Sequence, residues 1–431
     1  MEYFSTNNKD LRYGFKEAVI KGLAPDKGLF FPISIPKLEK EFFDNLPDMS
    51  MAEIGFEVAK HFVGEDISHE ELKNITEEVF NFPIPLIKIE EGVYSLELFH
   101  GPTCAFKDVG ARFMSRCLSA FAKQNKEDVT ILVATSGDTG SAVANGFLGV
   151  EGVSVIILYP KGKVSKIQEQ QLTTMGQNIS ALEVDGTFDD CQALVKQAFA
   201  DEDLNKKMKL TSANSINIAR LLPQSFYYFY ILAQLQNRDK DIVVSVPSGN
   251  YGNLTGGLLA KQMGLPIKRF VASANKNKVV PDYLEHGNYE PKESVQTISN
   301  AMDVGAPSNF ARMMELYREE HFEIIKDIKG AWFSDQETEK VMSEVYSNYK
   351  YILDPHGAVG YLGLKKHINK ENEIGVFLET AHPAKFKDTV EKAIEVEVEI
   401  PTYLKECLQK EKNSILIGRE YSDLKNQLLN S

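Results

Sequence analysis

The 431-residue sequence predicts an α/β protein built on parallel sheets, preceded by a mainly helical N-terminal domain. Three observations carry that expectation. From residue 129 to residue 378, short apolar runs rich in β-branched residues alternate with stretches of helical spacing, the pattern of strands buried on both faces. Residues 1–95 instead show helical spacing and a capping signature. Finally, a chain of 431 residues exceeds what one simple core holds, so two or three domains are expected.

Taken in order, Phe15, Ala18, Val19 and Gly22 trace one helical face, and a turn-rich loop leads from Gly22 to Gly28. Ser68 and Glu71 have capping-box spacing ahead of Leu72, Ile75 and Val79. Asn81-Phe-Pro-Ile-Pro85 is a stiff breaker and marks a boundary. Phe113, Cys117 and Phe121 recur at helical spacing in a helix expected over 109–123, which leaves Lys107 at a loop-to-helix junction. Strands are expected over 129–134, 153–158, 179–184, 241–246, 269–273 and 374–378, and helices over 188–199 and 218–235. The polar segment from Pro401 to Ser431 reads as an outer helix.

Composition narrows the function classes. Hydrophobic residues make up 43% and charged residues 25%, ordinary for a soluble globular protein. A net charge of −13 disfavours nonspecific binding to nucleic acid or to an anionic membrane. The N-terminus has neither a basic n-region nor an apolar core, and no apolar run approaches membrane-spanning length. Four scattered cysteines form no Cys-x-x-Cys zinc pattern and no disulfide framework, so a reducing cytoplasm is the expected compartment and no metal is expected.

The chemistry gathers around Glu97-Leu-Phe-His-Gly-Pro-Thr-Cys-Ala-Phe-Lys107-Asp108. A lysine backed by apolar packing is partly desolvated, which lowers its pKa and frees its amine for Schiff-base chemistry. In parallel sheets, ligands bind at the carboxyl ends of strands, and three loops at that position are unusual. Thr135-Ser-Gly-Asp-Thr-Gly140 offers hydroxyls and a helix N-terminus, either an anion site or a polar turn with a good cap. Pro247-Ser-Gly-Asn-Tyr-Gly-Asn253 suits a phosphate held by backbone N–H groups; it is neither a P-loop nor a dinucleotide fingerprint. Glu379-Thr-Ala-His-Pro-Ala-Lys385 can turn the Thr380 hydroxyl inward, and His382 in the same loop is either a base or a structural group. Between the expected sheets, Asn214, Ser215, Asn217 and Arg220 supply either donors for a second phosphate, on a substrate, or an ordinary helix cap with a surface arginine.

These segments, together with Gly22 to Pro32, Ser212 to Asn217, Asn300-Ala-Met-Asp-Val304 and Thr380 to Phe386, resemble the threonine synthase family along nearly the whole chain. That family consists of pyridoxal-phosphate enzymes of the tryptophan-synthase-β fold type, and the resemblance is to its branch with a long N-terminal domain. It implies two open parallel-sheet domains behind the N-terminal one: a large domain over 96–127 and 216–431, and an inserted small domain over 128–215. It implies pyridoxal phosphate as cofactor, O-phospho-L-homoserine as substrate, and a carbon–oxygen lyase that yields L-threonine and phosphate as a monomer or homodimer. The alternative on the same fold is a phospholyase yielding 2-oxobutyrate, ammonia and phosphate.

By the same resemblance, Lys107 is the Schiff-base lysine. Ser248, Gly249, Asn250, Tyr251, Gly252 and Asn253 hold the cofactor phosphate, and Thr380 faces the pyridine nitrogen. Thr135, Ser136, Gly137 and Thr139 hold the substrate carboxylate, and Asp138 lies near the cofactor's 3-hydroxyl, where the wider fold type has asparagine. Asn214, Ser215 and Arg220 match the substrate-phosphate set; Asn217 joins it as a donor in the same segment, and Lys163 and Ser165 are added from position. Cys104 and Tyr251 stand where relatives often have other apolar or aromatic residues, and no functional consequence is expected.

Overall fold

The computed structural model describes residues 1–125, 128–236 and 239–430. Strands β1 (Glu2–Ser5), β2 (Asn8–Gly14) and β3 (Phe30–Pro32) form an antiparallel sheet in the order β2-β1-β3. The N-terminal region is therefore not purely helical, which corrects the sequence expectation. Strands of three and four residues are too short to show a period, yet Tyr3, Phe4 and Ser5 are all buried in the middle strand. Helices Phe15–Lys21, Lys40–Asn45, Met51–Val63 and His69–Val79 also lie in this region. Ser50 and Glu53 form a full reciprocal capping box, whereas Ser68 caps through Glu71 N–H alone.

Strands β4 (Leu86–Glu90) and β5 (Val93–Glu97) open a second sheet. Next come β6 (Val129–Ala134), β7 (Val153–Pro160), β8 (Ile179–Val184) and β9 (Lys209–Ser212), then β10 (Asp241–Pro247), β11 (Ile267–Ala274), β12 (Ile328–Trp332), β13 (Glu373–Glu379) and β14 (Ile415–Ile417). The large sheet runs β12-β11-β10-β13-β5-β4 and is parallel except where β4 pairs antiparallel with β5. The small sheet runs β14-β8-β7-β6-β9, all parallel. All six expected strands are present, and β13, buried at every position, lies near the middle of the large sheet.

Two expected domain boundaries differ from the sheet membership. β4 and most of β5, assigned to the N-terminal domain, pair within the large sheet. The tail, assigned to the large domain as an outer helix, forms helix Thr402–Leu408, strand β14 and helix Tyr421–Asn430, and β14 pairs with β8 of the small sheet. Leu424 and Leu428 bury there against Cys191 and Leu194, so a segment polar overall still carries one apolar face. The expected boundary at residue 127, and Ser431, lie outside the described residues. The single helix expected over 218–235 is broken at Pro223 into Ile218–Leu221, a 3-10 turn and Phe226–Gln234.

Candidate active site

The carboxyl ends of β6, β10 and β13 open onto one cavity of about 480 Å³. Lys107, Thr135, Ser248 and Thr380 all line it. Lys107 is the first residue of helix Lys107–Asn125. The preceding loop is clamped to the one after β13: Phe106 N–H donates to Thr380 O at 2.9 Å and His382 N–H to Cys104 O at 3.0 Å. Inside that loop, Asp108 accepts from Thr103 N–H at 2.8 Å and from its hydroxyl at 2.5 Å. Burial pulls the Lys107 amine from 10.5 down to about 8; Asp138 opposes this, while Lys385 and Arg220 add to it. A helix N-terminus also disfavours a cation. Lys107 itself is half-buried in the cavity wall.

The loop after β10 is braced from outside. A Cβ at Gly249 would lie 2.7 Å from Ala301 O and 2.8 Å from Met302 Cα, so only glycine lets the two chain segments approach this closely. Asn250 bonds Ser215 Oγ at 2.7 Å, and Asn309 donates to Ser215 Oγ and to Asn250 O. Tyr251 caps helix Gly252–Gln262 from a left-handed φ of 59°. Cys104, just before the reactive loop ends, has a φ of 57°. The two residues singled out as unusual are thus both in a backbone region that side chains seldom occupy. Asn253 turns its Oδ1 to the hydroxyls of Tyr227 and Tyr228, each at 2.7 Å.

Around the loop after β6, Thr135 Oγ1 accepts from Gly137 and Gly140 N–H, both at 2.9 Å. Ser136, Asp138 and Thr139 face the cavity. Asp138 is buried and ion-paired to Lys385 Nζ at 2.7 Å, with Gln168 Nε2 donating at 2.9 Å. Burial works against its charge, yet Lys385 and Lys107 hold its carboxyl well below the usual carboxylate range. Asn214, Ser215 and Arg220 also line the cavity. Arg220 is buried, donates to Ala213 O, and has its guanidinium lowered to about 10 by burial.

Four candidates lie elsewhere. Asn217 is buried and spends its amide on Val19 O and Ser212 O. Ser165 caps helix Lys166–Thr173 with Gln168, and Lys163 is exposed; neither lines the cavity. His382 accepts from Ala384 N–H at 3.1 Å and packs edge-on against Phe99, with burial and His100 pulling it down to about 4. It caps a turn and does not line the cavity.

Sequence reasoning missed three groups. Lys385 lies within a quoted motif, but nothing there marked it as buried. His356, on helix Pro355–His367, lines the cavity; its Nδ1 bonds Asp354 and its Nε2 accepts from Ala301 N–H at 3.2 Å. Next to Asp354 lies Glu379, whose carboxyl is raised well above the usual range by burial and by Asp354. Arg312 is fully buried and donates to Phe30, Ser215 and Ile216 carbonyls and to Asn309 Oδ1. It ties the N-terminal sheet to the loop that carries Asn214 and Ser215.

The comparisons agree along the whole length. A family profile described as pyridoxal-phosphate dependent enzyme matches residues 80–379. Profiles for the threonine synthase N terminus and C-terminal region match residues 2–80 and 357–427. Threonine synthase from Haemophilus influenzae is 45% identical over 432 residues, covering 100% of both chains. The crystal structure of threonine synthase from Escherichia coli aligns with a TM-score of 0.94 at 42% identity, covering 100% of both chains. A PLP-bound threonine synthase from Brucella melitensis aligns at 0.93 and 33% identity, covering 100% of this chain and 99% of that one. The chain belongs to the threonine synthase family of pyridoxal-phosphate-dependent enzymes.

Proposed function

We propose that this chain converts O-phospho-L-homoserine and water to L-threonine and phosphate, with the cofactor held around Lys107. The observation that carries the reading is the half-buried Lys107 amine, drawn down to about 8 by desolvation, on the same cavity as Thr380 and the loop from Ser248 to Asn253. These residues fit pyridoxal phosphate. An amine near neutrality attacks an aldehyde. Backbone N–H groups at the start of helix Gly252–Gln262 suit a phosphate. Thr380 offers a hydroxyl to the ring nitrogen, and a hydroxyl would not keep that nitrogen protonated.

When bound, pyridoxal phosphate supplies the electron sink for carbanion chemistry at the substrate's carbons. Lys107 anchors it, and the same amine, once released, takes and returns protons at Cα, Cβ and Cγ. A neutral, flexible amine suits these adjacent positions better than a carboxylate. Thr135, Ser136 and Thr139, with Gly137 in the same turn, hold the substrate carboxylate. Asp138 is the polar group offered to the 3-hydroxyl. Asn214, Ser215 and Arg220 take the substrate phosphate, and Asn217 and Arg312 fix the loop that presents them. No substrate contact is proposed for Lys163 or Ser165.

Three units follow from the same reading: an N-terminal one to about residue 85, one on the large sheet, and one on the small sheet including the tail. Closure of the small unit over the substrate would exclude water from side reactions. Among the described residues no helix is long and apolar enough to cross a membrane. Four free, buried cysteines support a reducing compartment, the cytoplasm. The chain works as a monomer or homodimer.

The test is incubation of purified, cofactor-loaded protein with O-phospho-L-homoserine. Threonine and phosphate in equal amounts are expected. Phosphate with 2-oxobutyrate and ammonia would replace this reading with a phospholyase, and no phosphate release would point to another substrate.

A further inference from the structure

A buried carboxylate needs a cation, and two lysines are candidates to serve Asp138. Lys385 Nζ lies 2.7 Å from Asp138 Oδ1, and its side chain is 0% exposed. Lys107 is the other, and its charge also favours the ionised form of Asp138. The two lysines are held differently. Lys385 is fixed a second time by Thr103 O, which it reaches at 3.0 Å. That carbonyl also accepts from Gln171 Nε2 at 3.1 Å, and Gln168 Nε2 completes the shell around Asp138. Lys385 follows β13 of the large sheet, Asp138 follows β6 of the small sheet, and Thr103 lies in the loop leading to Lys107. One ammonium therefore joins both sheets and the reactive loop.

We propose that Lys385 is a positioning residue that serves as the counter-ion of Asp138 so that Lys107 need not, leaving the Lys107 amine free to react. An ionised aspartate at this turn would otherwise capture the nearest ammonium, and a captured lysine cannot attack an aldehyde. The other charges around Lys107 are Arg220, which also disfavours its ammonium form, and Asp108 on its own helix, whose carboxyl burial pushes up to about 6. The inference rests on Lys107 being the cofactor-binding lysine, but its test does not require turnover.

The experiment is pulse labelling of the full-length, cofactor-free chain with acetic anhydride across pH, reading acetylation at Lys107 by mass spectrometry. In Lys385→Met the labelling midpoint of Lys107 is expected to rise by about 1 unit or more, because Asp138 now faces it alone. In Asp138→Asn it is expected to fall, and Lys385→Arg is expected to keep the wild-type midpoint. Removing one partner of a buried pair can unfold a chain. Asp138→Asn is therefore also compared with Asp138→Asn/Lys385→Met, which holds neither charge; the double variant is expected to have the higher midpoint. A Lys107 midpoint that ignores Lys385, or that moves the same way in both single variants, overturns the proposal. Borohydride reduction of the cofactor-loaded wild type, followed by peptide mapping, tests the Lys107 assignment separately.

Discussion

With its amine pulled down to about 8, Lys107 is mostly ammonium at pH 7 and mostly free amine at pH 9. Only the free amine attacks an aldehyde, so cofactor recapture by the stripped chain should speed up as pH rises through 8 and then level off. Stopped-flow absorbance checks this. Lys107→Ala should lose the lysine-linked absorption band, and turnover should fall by at least about 10³-fold. Arg312 makes a different prediction, because four of its five hydrogen bonds hold backbone carbonyls and the fifth holds the Asn309 side chain. Arg312→Met leaves buried carbonyls unpaired and should lower stability by about 3 kcal/mol in urea unfolding. The position of Lys107 was legible because helical spacing begins just after it, and the positions of Thr380 and the glycine-rich loop because small or polar residues follow buried strands. Lys385, His356 and Arg312 were not, since a buried charge and a solvated one are written with the same letter.

At the scale of elements, the apolar runs of β6, β7, β8, β10, β11 and β13 were readable because both faces of each strand are covered. The edge strands were not. β12 reads Ile-Lys-Gly-Ala-Trp, with Lys329 and Trp332 exposed, and β14 has two of its three residues exposed. Where an edge strand meets solvent, the sequence loses the continuous apolar signature. Strands β11 and β13 are pinned at their starts by Glu373, which accepts two bonds from Arg269, each at 2.7 Å, and pairs with Lys268 at 3.0 Å. Burial alone would raise this carboxyl, but those partners take it from the ordinary 4.5 down to about 2. A depressed carboxyl stabilises above its unfolded pKa, and that stability disappears as pH falls through the folded value. Glu373→Gln should therefore lose about 1–2 kcal/mol at pH 7, and the difference should vanish between pH 4.5 and pH 2. Urea midpoints across that window measure it.

For the whole molecule, the cavity is lined from both sheets, with Thr135 and Ser136 on one side and Ser248 and Thr380 on the other. A ligand bound there stabilises both. Stripping the cofactor should cost about 2.7 kcal/mol relative to protein held at one hundred times the dissociation constant. Calorimetry on stripped and reloaded chain reads it as a lower Tm that phosphate alone restores only in part. The strand order has a further consequence, in time instead of space. β13 pairs with β10 on one side and β5 on the other, yet it is the last strand of the large sheet to leave the ribosome. Until residue 379 emerges, β4 and β5 have no parallel partner, and β10 to β12 form a separate half. Four strands of the small sheet, β6 to β9, are contiguous in sequence and complete by residue 212. During synthesis the inserted sheet can therefore assemble first, while its host waits, split in two, for one central strand.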